Sequence, residues 1–215
     1  MKKGYWVVAA LVLFSFASTI IFISMMPEQV PMHYNAMGEV DRMGSKYENL
    51  IFPGITLLVG IPLLLARRKT LTRTEEIVLL STVISIIACF DVLNVVLLYK
   101  ALTYEPGKAL DLNILKTVMV FLGVLFVLLG NVLPKVRRNA MMGLRTGWTM
   151  YNDVVWQKSQ RFSGISMVVC GLLLLLAALV LPDAAAAVVM AVLVVAWIVT
   201  SLLMSYAFYR REKAG

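Results

Sequence analysis

The sequence predicts an all-α polytopic membrane protein, a bundle of six transmembrane helices with both termini in the cytoplasm. Three observations predict it. Of the 215 residues, 60% are hydrophobic and only 15% are charged. The apolar residues fall in six long blocks, and Lys and Arg crowd the loops on one side of them. A soluble chain runs at about 45–50% apolar and about 25% charged, so a mean hydropathy of +0.85 leaves too little polar surface for a water-soluble domain.

The blocks run near Tyr5–Met26, Leu50–Ala66, Glu76–Tyr99, Leu112–Leu133, Phe162–Leu181 and Ala186–Tyr209. A spanning helix needs about 20 mostly apolar residues. Lys2 and Lys3 before the first block resemble the start of a secretory signal. Its apolar stretch is too long, however, and ends in Ser24-Met25-Met26-Pro27 rather than in a small-residue cleavage site. It is read as a retained first helix. The second block is the shortest and carries Pro53, Gly54, Gly60 and Pro62, irregularities that neighbouring helices must bury. The fifth and sixth blocks form a hairpin through Leu181-Pro182-Asp183.

Orientation follows from the basic residues. Lys2, Lys3, Arg67, Arg68, Lys69, Arg73, Lys135, Arg137, Arg138, Arg145, Lys158, Arg161, Arg210, Arg211 and Lys213 all fall on one side. Arg42, Lys46, Lys100 and Lys108 fall on the other, and Lys116 lies inside helix four. The positive-inside rule puts the richer side in the cytoplasm. The net charge of +8 is then a topology signal, with some attraction to anionic membrane lipid. No nucleic-acid recognition motif accompanies it. Cys89 and Cys170 sit at depths that differ by about 7 Å, so both are expected as free thiols rather than a disulfide. One histidine and no paired cysteines give no metal site. No catalytic set and no cofactor motif appears.

Two polar segments are long enough to carry function. In the outer one, 27–49, Pro27 and Pro31 cannot continue the first helix, and Asn35–Gly38 and Asp41–Gly44 read as successive turns. It is either a structured cap over the helix ends or a recognition surface with His33, Asn35, Asp41 and Lys46 as polar contacts. In the cytoplasmic one, 134–161, Pro134 stops helix four. Asn152 is an N-cap with Asp153 behind it, starting a short helix that runs into helix five. Trp148, Tyr151 and Trp156 are the aromatics expected at headgroup depth. Arg138, Arg145 and Arg161 can meet lipid phosphates or helix-end carbonyls. The segment is either a membrane-surface anchor or a docking face for a partner.

At these two segments the chain resembles the SdpI family of bacterial membrane proteins. Pro31, His33, Asn35, Gly38, Asp41, Gly44 and Lys46 are similar to the domain of unknown function that forms that family's N-terminal part. Gly130, Asn131, Pro134, Asn139, Gly143, Arg145, Thr146, Trp148, Thr149, Asn152, Trp156, Arg161 and Gly164 resemble the family signature. The sequence departs from it at Gly147, where the family commonly has proline, and at Ser159-Gln160, where it often has Thr-His. The resemblance implies immunity to a secreted peptide toxin met at the outer face. It also implies signalling by recruiting a cytoplasmic repressor protein to the membrane. From composition and charge, membrane lipid is the surrounding partner and no direct contact with nucleic acid is expected. The alternative is a small proton- or solute-coupled transporter; an enzyme is not expected.

Asp91 and Asn94 lie inside helix three and Lys116 inside helix four. Such groups are costly in a bilayer and face the protein interior or water. Asp91 and Lys116 either pair across the two helices, or Lys116 snorkels outward and Asp91 bonds to Asn94 or a backbone group. Gly123, Gly164 and the small residues Ala184–Ala187 are expected to allow close helix contact. The expected organisation is 1–66, a helix pair with its outer loop; 67–111, helix three and its flanking loops; and 112–215, the SdpI-like part with helices four to six.

Overall fold

The computed structural model describes residues 2–35, 39–65, 72–105, 113–139 and 142–214. The basic positions 67–69 and 108, and Gly38 of the outer loop, lie outside them. Among the described residues six α-helices are present: α1 (Lys2–Met25), α2 (Ile51–Leu65), α3 (Arg73–Leu102), α4 (Ile114–Val132), α5 (Asp153–Val180) and α6 (Asp183–Ala214). Among the described residues, all but α2 are long and apolar enough to cross a bilayer. The 15 described residues of α2 extend only about 22 Å at 1.5 Å per residue, so the count of six spans is approximate. The all-α membrane class holds, with one small addition. The polar segment after α1 forms a two-stranded antiparallel hairpin, β1 (Gln29–Tyr34) and β2 (Val40–Ser45).

The chain divides into two compact units, 1–71 with 79–121 and 72–78 with 122–215. α3 and α4 each contribute to both units.

In the first unit α1 and α3 run in the same direction, with Gly4 against Leu80 near their starts and Thr19 bonded to Asn94 further along. On α1 the residues Val8, Val12, Ser15 and Thr19 recur at three- and four-residue spacing, which places them on one helix face. Val8, Val12 and Leu63 pack against Leu80, Val83 and Ile87. At the other end of the seam Met26, Val30, Leu98 and Ala101 form a second buried cluster. Phe90 and Phe121 meet edge to face at 5.2 Å, tying α3 to the start of α4.

The hairpin corrects the expectation of two turns. Residues 36–38 of the first lie outside the described residues; on either side of them the Asn35 amide N–H donates to the Glu39 carbonyl at 2.9 Å and the Glu39 N–H to Asn35 Oδ1 at 3.0 Å. Asp41–Gly44 lies within β2, with Gly44 opposite Val30. Gly44 serves there by being small. A Cβ on it would run into the Glu48 carboxylate and the Met32 side chain. The strand ends in a capping box on a short 3-10 helix, Lys46–Leu50: Ser45 caps it and Glu48 reaches back to the Ser45 N–H at 3.0 Å.

In the second unit α4 and α5 are antiparallel and touch through two glycine pairs. A Cβ on Gly123 would stand 2.9 Å from the Gly171 carbonyl, and one on Gly130 would stand 2.7 Å from the Gly164 carbonyl. Each pair is seven residues from the next on its helix, the repeat that keeps one seam facing a neighbour. Gly123 and Gly164 thus act as expected, and Gly130 and Gly171 complete the seam. The α5–α6 hairpin turns at Leu181–Pro182 as expected. Trp197 closes it, donating to the Ser163 carbonyl at 3.1 Å and packing on Phe126 at 5.1 Å. Cys89 and Cys170 are free thiols.

Candidate functional site

The 133–161 segment is built from the end of α4 outward. The last turn tightens to a 3-10 helix at Leu133–Lys135, where Pro134 has no N–H to offer a longer helix. Val136 then turns extended, and its carbonyl accepts the Trp156 indole N–H at 2.7 Å. Trp156 is wholly buried. This corrects its assignment to the headgroup region: its ring fills the space between the segment and the first turns of α5.

Asn139 opens the next turn, accepting from the Met142 N–H at 2.8 Å. Gly143 has φ +103°, a left-handed conformation that a side chain disfavours, and a Cβ there would strike both Gln160 and Trp156. The Gln160 side-chain amide then pairs with Leu144 as a strand would. It accepts from the Leu144 N–H and donates to the Leu144 carbonyl, each at 2.9 Å. Gln160 is fully buried, so the position where the family often has histidine here carries a structural amide.

Thr146 and Thr149 close a turn reciprocally. The Thr146 N–H donates to Thr149 Oγ1 at 2.8 Å and the Thr149 N–H to Thr146 Oγ1 at 3.1 Å. Trp148 donates to Ser205 Oγ on α6 at 2.9 Å and meets Tyr206 edge to face. Asn152 caps α5 as expected, accepting from the Val155 N–H at 2.8 Å. Its amide donates to Glu212 near the end of α6 at 3.2 Å. Arg138 bridges across, pairing with Asp153 at 2.8 Å and donating to the Met150 carbonyl at 3.0 Å.

These contacts sort the sequence-derived residues. Pro134, Asn139, Gly143, Thr146, Trp148, Thr149, Asn152 and Trp156 come together as a scaffold. Asn131 stays on α4, where its amide donates to the Val127 carbonyl. Arg145 and Arg161 are exposed and form no ion pair among the described residues. With the exposed Lys135 and Arg137, they give the segment a cationic outer surface. Gln160, Ser205 and Glu212 were not read as parts of the site. Their signal was spacing: Ser205 and Glu212 fall seven apart on α6, beside the segment.

On the hairpin, His33 Nδ1 lies 2.6 Å from Asp41 Oδ1, and both side chains are exposed. Lys46 is turned inward, to Glu28 at 3.0 Å and the Met26 carbonyl at 3.4 Å, and Pro31 is buried. Arg42 donates to Glu48 at 2.9 Å, and that bond first, aided by the Ser45 N–H, holds the Glu48 carboxyl below its ordinary range.

Within the α1–α3 seam, Asp91, Asn94, Ser15 and Thr19 are all buried. The Asp91 oxygens have no hydrogen bond to Lys116, Asn94 or a backbone group, and the side-chain donor that acts on them is Ser15. Asn94 donates instead to Thr19 at 2.9 Å. Lys116 belongs to the first turn of α4, where its N–H donates to Asn113 Oδ1.

Residues 135–206 match the model of the SdpI/YfhL protein family. This segment is similar to that family. Residues 10–57 match a domain of unknown function, DUF1648, and cover α1 from residue 10, the hairpin and the start of α2. The immunity protein SdpI of Bacillus subtilis (strain 168) is 25% identical over 211 residues, 98% of each chain. No solved structure gives a significant match. The apolar helices and this likeness together make this a multi-pass membrane protein. Among the described residues no group of three or more His, Cys, Asp or Glu side chains can hold a metal.

Proposed function

We propose that this chain is a membrane immunity protein that protects a bacterial cell from a secreted peptide toxin. The observation that carries the reading is the similarity to an immunity protein from end to end, 98% of both chains. The hairpin, with its exposed His33–Asp41 pair, serves as the toxin-facing surface on the outside. The pinned segment around Trp156 lies on the cytoplasmic side with both termini, as the distribution of Lys and Arg favours. Its exposed Arg145 and Arg161 suit an acidic face of a cytoplasmic repressor protein, since buried scaffold and charged rim are how docking surfaces are commonly built. The role is one of binding, not catalysis.

The test is survival. Toxin-sensitive bacteria expressing the chain are challenged with culture supernatant of its own host, alongside Arg145→Ala. Protection by the intact chain supports immunity, and loss of reporter signalling with retained protection in Arg145→Ala separates docking from toxin binding. No protection at normal membrane levels overturns the reading.

A further inference from the structure

The middle of the α1–α3 seam is polar where both ends are apolar. Ser15 and Thr19 lie one turn apart on α1, and Asp91 and Asn94 one turn apart on α3. Ser15 and Thr19 have no exposure, Asn94 has 1% and Asp91 has 3%. Ser15 Oγ, both carboxylate oxygens of Asp91 and Asn94 Oδ1 have no hydrogen-bond partner. The Ser15 hydroxyl faces the Asp91 carboxyl and is the side-chain donor that acts on it, although no well-formed hydrogen bond joins the two. Unpartnered buried oxygens are costly, and a cluster of them within a bilayer costs most of all.

We propose that these oxygens form a binding site for one dehydrated monovalent cation, of the sodium class, held between α1 and α3. Three features carry it. The donors are all hard oxygens, the kind that replace a hydration shell around alkali and alkaline-earth ions. The charge balances: one carboxylate neutralises one monovalent cation, whereas a divalent ion leaves net charge in a low-dielectric site. The site is also closed. Val8, Val12 and Ile87 pack on one side of it, and Met26, Leu98 and Ala101 on the other. Thr19 anchors the Asn94 amide at 2.9 Å, so the ligand oxygens are set by helix packing rather than by a loop. The ion locks α1 to α3. The proposal concerns binding and stands apart from toxin immunity.

The full chain in lipid nanodiscs is heated in NaCl from 0 to 300 mM, with choline chloride holding the ionic strength, and binding of radioactive sodium is measured in parallel. Ligand binding to the folded state raises the midpoint as the site fills. The expected result is a saturable rise in Tm with sodium, one sodium bound per chain, and loss of both in Asp91→Asn. KCl in place of NaCl gives a smaller rise if the closed site selects by size. Ser15→Ala keeps the carboxylate and is expected to weaken apparent affinity about tenfold or more. It serves should Asp91→Asn fail to fold. The same Tm in sodium and choline overturns the proposal and leaves a proton on Asp91 as the neutralising charge. A sodium response that persists in Asp91→Asn, or an affinity unchanged in Ser15→Ala, overturns it equally.

Discussion

Trp156 donates its indole N–H to the carbonyl of Val136 at 2.7 Å from a site with no solvent exposure. That bond joins the first turn of α5 to the chain leaving α4, and Gly143 closes over the same ring. The segment that bears Arg145 is therefore shaped from below by a buried indole.

Replacing Trp156 with Phe keeps most of the packing and orphans the Val136 carbonyl. A buried acceptor left without its donor costs about 1–3 kcal/mol, whereas Trp156→Ala adds a cavity and costs about 3–5 kcal/mol. Thermal unfolding in detergent should rank wild type above Phe and Phe above Ala. A Phe variant as stable as wild type would mean that the indole bond contributes little.

How much of this was legible depends on the kind of signal. Asn152 was readable because N-capping is local: a short polar acceptor at the boundary, an acid behind it and an apolar run after it. Gly123 and Gly164 were readable because small residues in a spanning helix mean close approach. Trp156 was misplaced because an aromatic near a helix end sits by default at the headgroups, and only the folded segment buries it. Asp41–Gly44 was misread as a turn because glycine in a polar stretch signals positive φ, while here Gly44 only makes room for Met32 and Glu48. Ser15 and Thr19 were silent. A hydroxyl in a spanning helix can bond its own preceding carbonyl, so its sequence context does not reveal a partner on another helix.

The α4–α5 seam yields a paired prediction. Gly164→Ala puts a methyl 2.6 Å from the Gly130 carbonyl and 2.7 Å from Pro134 Cδ, so the helices must part at a cost of about 1–3 kcal/mol. Gly147→Ala meets nothing within 4 Å and should stay within about 0.5 kcal/mol of wild type. Measuring both by unfolding midpoint controls for the loss of glycine itself. Equal effects would argue against a tight seam.

Thr19 and Asn94 invite a double-mutant cycle. Thr19→Val and Asn94→Leu each remove one end of the 2.9 Å bond, and the double variant removes both. Bonds between membrane helices couple by about 0.6 kcal/mol on average and by at most about 1.7 kcal/mol. A coupling in that range is expected from the three unfolding free energies. Purely additive losses would show that the two side chains act independently.

Glu48 predicts a pH dependence confined to the hairpin. Arg42 and the Ser45 N–H hold its carboxyl below the ordinary value of 4.5. A carboxyl depressed in the folded state contributes stabilisation that is complete above the unfolded value and is lost as pH falls through the folded one. Protection of the hairpin base should thus be constant near neutrality and begin to fall only below about pH 4.5. Hydrogen exchange at the Ser45 amide, which donates to Glu48, reports it directly after correction for intrinsic rates. Glu48→Gln keeps the shape but cannot titrate, so its Ser45 protection should be lower at pH 7 and flat into acid. Because the Glu48 side chain is exposed, salt should shrink the difference between the two proteins by screening the Arg42 pair. A wild-type profile as flat as that of Glu48→Gln would show that Ser45 is held by the strand ladder alone.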